Sequence, residues 1–144
     1  MIALAAAAII AYRHSAKNFL NILRRATIVA AAKKNPIVTM SQLTDFEWDK
    51  LLIFGPYTSS EGVNSQLGFN WPEAQKTGID VSETIFLLVF VKDQCVVRYF
   101  LFPRTIGEFE SLDKNNVFPH GKDIFMVRWQ RVGDENRLIF SEKE

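Results

Sequence analysis

His120 and Cys95 are the two side chains that could most readily support acid–base or nucleophilic chemistry in the body of this 144-residue sequence. His120 stands between a proline and a glycine, which predicts a loop, and an imidazole there could act as a general base. The sequence places no second group beside it, so a solvated loop histidine is the favoured interpretation. Cys95 lies in an apolar, β-branched run that predicts a buried strand. A thiol there is a small apolar side chain rather than a nucleophile.

Three acids, Asp45, Glu47 and Asp49, precede the first predicted strand. Neighbouring carboxylates can do acid–base work or hold a cation, but this spacing lacks the glycine turn and bidentate glutamate of a calcium loop. A solvated face with a capping role is therefore favoured. One cysteine and two distant histidines, His14 and His120, contain no zinc spacing. Motifs of phosphate-binding loops, nucleophile elbows and zinc proteases are also missing from the sequence. We therefore predict no catalytic residue, no metal site and no cofactor.

Charge divides the chain sharply. Residues 1–44 contain six Lys and Arg and no acid, whereas residues 45–144 contain all 16 acids and 11 of the 17 Lys and Arg, a balance of −5. Such an asymmetry is typical of targeting, of a membrane surface or of an anionic partner. An acidic domain without interleaved basic and aromatic residues predicts no nucleic-acid binding.

Arginines and aromatic residues are the candidates for a binding surface. Arg98 and Arg128 could form an anion-binding patch if they share a sheet face. Long side chains that cover strand edges and pair with Glu83, Asp123 or Glu135 explain the same arginines equally well. Tryptophans are more often core than site, although one beside a proline is an interface candidate. The candidate binding residues are Trp48, Tyr57, Trp71, Arg98, Arg104, His120 and Arg128.

The N-terminal segment begins with an apolar run, Met1–Tyr12, that is shorter than the roughly 20 residues of a membrane-spanning helix. It has the length of a signal-peptide apolar region, but no charged region precedes it. We favour a membrane anchor or uncleaved signal within residues 1–34, with basic side chains at the lipid headgroups. A transit peptide, an Ala-rich helix packed on the domain's own sheet, and a partly artefactual extension upstream of Met40 are the alternatives. The basic side chains concerned are Arg13, Lys17, Arg24 and Arg25.

Two hairpins dominate the rest of the chain. Thr84–Val91 and Cys95–Phe102 flank a short polar connection, and both runs are rich in β-branched and aromatic residues. Both faces of this hairpin are apolar, so it should be central and covered on two sides. A second hairpin is predicted from Asp123–Arg131 and Arg137–Phe140. A first strand is predicted at Leu51–Phe54, closed by glycine and proline.

The remaining pattern predicts short helices and a loop. Thr58 and Glu61 form a capping-box pattern that begins a short helix, and Gly68 should end it. Thr105–Gly121 is polar and predicts a long surface loop. The predicted fold is α+β, with about five mostly antiparallel strands and one or two short helices, preceded by an Ala-rich helical leader. We divide the chain into a leader, 1–40, and a small domain, 41–144.

One stretch carries a resemblance. The run Trp48–Thr58, W-D-x-x-x-I-F-G-P-Y-T, together with Leu88–Asp93 and Phe102–Arg104, resembles a group of small uncharacterised bacterial lipoproteins or secreted proteins. The resemblance spans roughly Leu43–Phe109. It implies an extracytoplasmic, membrane-tethered domain and supplies no catalytic residue. A lipoprotein needs a cysteine directly after its signal, and none precedes Cys95, which excludes lipid anchoring by that route.

These observations predict a non-enzymatic binding or interaction domain tethered at the bacterial cell envelope, with the membrane and a protein as partners. One alternative is a small immunity or inhibitor protein, whose acidic domain would face a basic partner. A second alternative is a small enzyme that uses His120 with loop carboxylates between Thr105 and Asp123.

Overall fold

A computed structural model describes residues 18–27, 30 and 36–143 of the protein. Over these residues it has two α-helices, α1 (18–27) and α2 (Ser60–Leu67), and eight strands. The predicted α+β fold class is confirmed, with eight strands in place of about five. The strands are β1 (Ile37–Thr39), β2 (Lys50–Phe54), β3 (Ile85–Lys92), β4 (Cys95–Pro103), β5 (Glu108–Phe109), β6 (Val117–Pro119), β7 (Ile124–Val132) and β8 (Glu135–Glu142).

The strands form two four-stranded sheets. Sheet I has the order β4-β3-β2-β6 and is antiparallel throughout, and sheet II has the order β1-β7-β8-β5 with β5 parallel to β8. Both predicted hairpins are confirmed: β3 pairs with β4, and β7 pairs with β8. The predicted first strand is β2, which pairs with β3. In each hairpin a two-residue turn joins the paired strands, so a short stretch of sequence is enough to predict the pairing.

The prediction of a single long loop over Thr105–Gly121 is wrong. The segment contains β5 and β6, which pair with β8 and β2 respectively. Each strand brings one phenylalanine into the core: Phe109 is 6% exposed and Phe118 is 2% exposed. Two or three residues are too few to show an alternating pattern, so burial of the aromatic ring is what places these strands.

Helix α2 begins one residue later than predicted. The hydroxyl of Ser59, rather than that of Thr58, accepts a hydrogen bond from the Gly62 amide at 3.0 Å. Thr58 instead donates its hydroxyl to the Gly55 carbonyl at 2.7 Å. The predicted end is confirmed, because Gly68 adopts the left-handed conformation (φ 81°) that glycine enters without steric cost.

Strand β3 is central in sheet I and buried on both faces, as predicted, whereas the prediction is wrong for β4, which is an edge strand with exposed positions. One face meets sheet II across a core rich in phenylalanine. The other face is covered by α2 and by a 3-10 helix at Pro72–Lys76, whose side chains pack on Leu52 and Val89. A sheet covered on two sides needs apolar residues at consecutive positions, which is the pattern of β3. The largest buried rings are Phe90, Phe100, Phe102, Phe118, Phe125 and Phe140.

Helix α1 lies on the core between the two sheets. The ring of Phe19 stacks on that of Phe100, with centroids 4.4 Å apart and planes at 14°. Leu23 is fully buried in the same core, and Ala30 is 5% exposed there. Arg24 and Arg25 are exposed. Residues 18–27 therefore pack on the domain itself, while the Ala-rich stretch that an alternative interpretation placed on the sheet lies outside the described residues.

The rest of the leader lies outside the described residues, including the apolar run Met1–Tyr12, Arg13, His14 and Lys17. In the part of the chain that the structure describes, no helix has the length and apolar character needed to cross a membrane. The division at residue 40 stays a prediction, although side chains on both sides of it share one core.

An ion pair crosses the outer face of sheet II. Arg128 donates to both carboxylate oxygens of Glu110, Nη1 to Oε1 at 2.9 Å and Nη2 to Oε2 at 2.7 Å. Ile139, the register partner of Arg128 on β8, is 5% exposed. Because Glu110 also donates its backbone N–H to the Phe140 carbonyl on β8, the pair bridges that strand. Arg128 thus pairs with an acid, but the partner is Glu110 and not Glu83, Asp123 or Glu135.

Glu110→Gln is expected to lower the free energy of unfolding by about 0.5 kcal/mol at neutral pH, since water screens a pair this exposed. Hydrogen bonds from Arg128 lower the pKa of Glu110 below its ordinary value of 4.5. A lowered pKa gives stability that is complete above pH 4.5 and is lost as the pH falls through the folded-state pKa. Urea unfolding should therefore separate the variant from the wild type at neutral pH and not in acid. A constant difference at all pH values would contradict the prediction, and Glu73→Gln on an exposed turn is the control.

Candidate functional site

The inner face of β7 ends in an exposed tryptophan. Phe125 and Val127 are each 1% exposed, and Trp129, the next residue on the same face, is 58% exposed. Its register partner across the hairpin, Leu138, is 8% exposed. Trp129 thus lies on the same face of β7 as the core residues Phe125 and Val127, but other side chains do not cover its ring. Its ring lines a groove of about 520 Å³, which we call the Trp129 groove.

The walls of the Trp129 groove come from segments far apart in the sequence. One wall is the approach to β3 and the turn between β4 and β5, and the other is the start of β8. The turn can lie this close only because residue 107 is glycine: a Cβ there would stand 2.5 Å from the Phe140 ring. The groove is lined by Glu83, Thr84, Arg104, Thr105, Ile106, Gly107, Trp129, Glu135, Asn136, Arg137 and Leu138.

One carboxylate orients two guanidinium groups at this groove. Oε1 of Glu108 accepts from Arg104 Nη2 at 2.6 Å and Nε at 3.1 Å, and from Arg137 Nη1 at 2.8 Å. Arg104 also donates Nη1 to the Glu83 carbonyl at 2.8 Å, and Arg137 lies 3.4 Å from Glu135. We call these five residues the arginine–glutamate network. Charge-assisted hydrogen bonds of this kind fix the planes of the guanidinium groups and compensate their charge.

Tyr57 adds a second exposed ring beside the groove. Its side chain is 60% exposed, and its hydroxyl donates to Glu83 Oε2 at 3.2 Å. Its backbone has φ 65°, with the N–H bonded to the Ile79 carbonyl at 2.9 Å. This left-handed conformation is unfavourable for a bulky side chain, and such strain is concentrated at functional positions. The fold therefore keeps an aromatic ring at a position that suits glycine or asparagine.

Tyr57→Asn is expected to raise the melting temperature by about 2–4 °C, because asparagine tolerates the left-handed conformation better than tyrosine does. Differential scanning calorimetry measures the shift. Tyr57→Phe is the control, since it removes only the exposed hydrogen bond to Glu83 and keeps the strained backbone. A lower melting temperature for Tyr57→Asn would show that the ring stabilises the fold by more than the backbone strain costs.

A second, shallower pocket of about 410 Å³ surrounds His120, and we call it the His120 pocket. It brings together two predicted residues: the rings of Trp48 and His120 have centroids 4.7 Å apart. Trp48 is 4% exposed and donates its indole N–H to Thr44 Oγ1, so it also supports the loop. The enzyme alternative predicted that His120 would act with carboxylates between Thr105 and Asp123. The acids that share its pocket instead come from residues 45–49. The pocket is lined by Glu47, Trp48, Asp49, Lys92 and His120.

Both carboxylates of the His120 pocket have partners. Glu47 forms an ion pair with Lys92, and this hydrogen bond lowers the pKa of Glu47 and raises that of Lys92. Asp49 Oδ2 accepts from the Asp93 backbone N–H at 3.0 Å in the turn between β3 and β4. Glu47 and Asp49 therefore bind the end of β3 and the turn that follows it.

The other predicted binding residues lie elsewhere. Trp71 is 6% exposed in the core beneath α2, so its ring is not part of the surface. Arg98 is exposed on β4 of sheet I, and Arg128 lies on β7 of sheet II with Glu110 as its partner. The hypothesis of a shared sheet face for Arg98 and Arg128 is wrong, because they belong to different sheets. The prediction of a buried Cys95 is wrong too: it is the first residue of β4 and is exposed.

The groove contains one residue that we predicted, Arg104, while Tyr57 reaches it through Glu83. Trp129, Glu108 and Arg137 were missed. The alternation of β7 correctly assigns Trp129 to the core-facing side, but no sequence signal shows where the covering side chains end. In the part of the chain that the structure describes, no three His, Cys, Asp or Glu side chains are grouped as a metal site.

Comparison with known proteins found no family model, no curated protein and no solved structure that matches this chain. The resemblance to small bacterial lipoproteins therefore stays a prediction.

Proposed function

We propose that this protein is a non-enzymatic binding domain tethered at the bacterial cell envelope, and that the Trp129 groove is its binding site. The single observation that carries the binding role is the 58% exposed Trp129 ring in a concave site beside an ordered arginine–glutamate network. Trp, Tyr and Arg dominate the energetics of binding sites because they supply large contact areas and fixed hydrogen bonds. The groove combines all three residue types, with Tyr57 at its edge.

The preorganisation of the groove supports the same proposal. Glu108 is 22% exposed at its side chain and accepts three N–H bonds from two arginines, so the polar wall needs little rearrangement to meet a ligand. Fixing polar groups in advance reduces the entropy lost on binding. The volume of about 520 Å³ falls in the range of roughly 300–1,000 Å³ that is typical of ligand sites.

Support for the envelope location comes from the basic leader and from the lipoprotein-like run Trp48–Thr58. Helix α1 packs its apolar side chains on the core and leaves Arg24 and Arg25 exposed. Exposed basic residues next to an apolar segment can attract anionic lipid headgroups. The proposed tether is thus the segment that precedes α1, with the arginines of α1 facing the headgroups.

Fractionation of cells that express the full chain tests the tether. We expect the wild type to sediment with membranes and to dissolve in detergent, and Arg24→Glu/Arg25→Glu to shift towards the soluble fraction. Lys114→Glu/Lys122→Glu, which changes two exposed lysines of the domain, is the charge-matched control. A wild-type chain that stays soluble after lysis without detergent would remove the tether from the proposal.

Crosslinking in living cells tests the binding site. A photoreactive amino acid at position 129 should give adducts, whereas the same group at position 126 should not. Met126 lies on the same strand and is 46% exposed, but on the opposite face. Equal adducts at both positions, or none at either, would contradict a binding role for the groove.

A second candidate function rests on one observation: His120 shares its pocket with Glu47 and Asp49. An exposed imidazole that shares a pocket with carboxylates could act as a general base beside an orienting acid. Both acids already have partners, which makes this candidate the weaker one. If an activity is found, His120→Ala should abolish it, and an unchanged rate would remove this candidate.

A further inference from the structure

We infer that the Trp129 groove binds an uncharged, polyhydroxylated ligand, namely a segment of a saccharide chain. The inference rests on the proposed function, because it names the ligand class of the same groove. Three features of the described residues carry it: the flat exposed ring of Trp129, the balance of charges along the walls, and the second exposed ring of Tyr57.

The first feature is the ring. Trp129 is 58% exposed and stands beside Leu138 and Ile106, so the apolar part of the groove is a flat surface with polar groups around it. A pyranose ring has the complementary shape, with C–H groups on one face and hydroxyls around its edge. A tryptophan face offers such a ring a large apolar contact at a small entropic cost, because its side chain has only two rotatable bonds.

The second feature is the charge balance. Two arginines and two glutamates line the groove, and Glu108 accepts hydrogen bonds from both arginines. An anion would have to compete with Glu108 for guanidinium groups whose charge is already compensated. A cation would meet Arg137 beside Glu135, and the Glu83 carboxylate is already bonded to the Tyr57 hydroxyl. An anion therefore finds no uncompensated positive charge, and the near balance of two arginines against Glu83, Glu108 and Glu135 favours a neutral ligand.

Hydroxyl groups fit this environment better because each one donates and accepts a hydrogen bond. Acceptors are supplied by the carboxylates of Glu83 and Glu135, both on exposed residues. Donors are supplied by the guanidinium groups, while Asn136 and Thr84 offer both kinds of group within the same lining. A site built to pair hydroxyls discriminates strongly against ligands that lack them.

The third feature indicates length. Tyr57 is 60% exposed and its hydroxyl is bonded to Glu83, which lines the groove on the side of β3. Two exposed rings at one groove, Trp129 in its lining and Tyr57 bonded to its lining residue Glu83, suit a ligand of more than one sugar unit, with Trp129 and Tyr57 under different rings. The strained φ of 65° at Tyr57 is consistent with a position kept for binding rather than for stability.

The experiment uses the full chain in a detergent without a sugar headgroup, titrated with tetrasaccharides of glucose and of N-acetylglucosamine. Trp48 and Trp71 are 4% and 6% exposed, so a change in tryptophan emission on binding reports chiefly on Trp129. Calorimetry provides the affinity independently of fluorescence. We expect one of the tetrasaccharides to bind. Trp129→Ala should lower the affinity for that tetrasaccharide by about tenfold or more, and Tyr57→Ala should lower it less. Met126→Ala, on the other face of β7, should leave the affinity within about twofold of the wild type.

The outcomes separate the two proposals. Saccharide binding that is lost in Trp129→Ala and kept in Met126→Ala supports both. If Trp129→Ala binds the saccharide as tightly as the wild type does, the assignment to this groove is overturned. If an acidic oligosaccharide binds more tightly than the neutral ones, the neutral ligand class is overturned. No saccharide binding, together with a protein adduct at position 129, overturns the ligand class and leaves the binding site in place. No saccharide binding and no adduct overturns both.

The source of the saccharide is tested separately. Co-sedimentation of the protein with isolated cell-wall sacculi would assign the ligand to the wall. Binding of the soluble tetrasaccharide alone would assign it to free saccharide.

Discussion

Leu23→Ala is expected to lower the free energy of unfolding by about 3–5 kcal/mol, the largest effect on stability that we predict. Leu23 is fully buried in the core between the two sheets, on the helix whose Phe19 stacks against Phe100. Removing a buried leucine side chain loses its transfer free energy and leaves a cavity. The cavity cannot close easily here, because the Thr27 hydroxyl bonded to the Leu23 carbonyl and the rings of sheet I surround the position.

Urea unfolding of the full chain measures this effect, with Arg24→Ala as the matched control. Arg24 is the next residue of the same helix and is exposed, so its replacement tests helix propensity and charge without touching the core. We expect the control to change the free energy of unfolding by less than about 0.5 kcal/mol. If Leu23→Ala were as mild as Arg24→Ala, α1 would not be docked in solution. The division of the chain into a leader and an independent domain would then be favoured.

Asp123→Asn is expected to lower the free energy of unfolding by about 2–3 kcal/mol, because the buried carboxylate accepts two backbone hydrogen bonds. Asp123 is fully buried, and its Oδ2 and Oδ1 accept from the Ser41 amide at 2.5 Å and the Gly121 amide at 2.9 Å. Its own carbonyl accepts from the Met40 amide at 3.1 Å. An asparagine amide would point its N–H groups at one of these N–H donors and leave that donor unpaired in the interior.

The same unfolding measurement applies, with Asp113→Asn on an exposed turn as the control. The wild-type arrangement joins the 3-10 turn at Met40–Gln42 to the turn before β7, so the variant should also speed amide exchange at Ser41 and Gly121. A stability within about 0.5 kcal/mol of the wild type would show that the carboxylate is replaceable there. We had considered Asp123 as a partner for an arginine, and the structure assigns it to these backbone amides instead.

Elements with a local signal were predicted correctly. The β3–β4 and β7–β8 hairpins follow from apolar runs on either side of short polar turns, and the class of fold follows from them. The end of α2 at Gly68 was also predictable, since the left-handed C-cap needs glycine. The start of α2 was predicted one residue early, because Thr58 and Ser59 are both good caps and only the turn at Gly55 decides between them.

Elements without a local signal were missed. β5 and β6 are two and three residues long and owe their place to pairing with strands distant in the sequence. Cys95 lies in an apolar run and is nonetheless exposed, because it begins an edge strand at the turn of the hairpin. Whether a residue at the end of a strand is buried depends on which other elements pack over it. The alternation of apolar and polar residues along the strand carries no such information.

The sequence by itself determined the α+β class, the two hairpins with the doubly apolar strand β3, and the charge difference between the leader and the domain. These depend on composition and on side-chain periods of two to four residues, which are local quantities. Only the tertiary structure decided that α1 packs on the core, that Trp129 is exposed, and that Glu108 joins Arg104 to Arg137. The reason is physical: the groove is built from four separate stretches of the chain, which become neighbours only when the two sheets pack together.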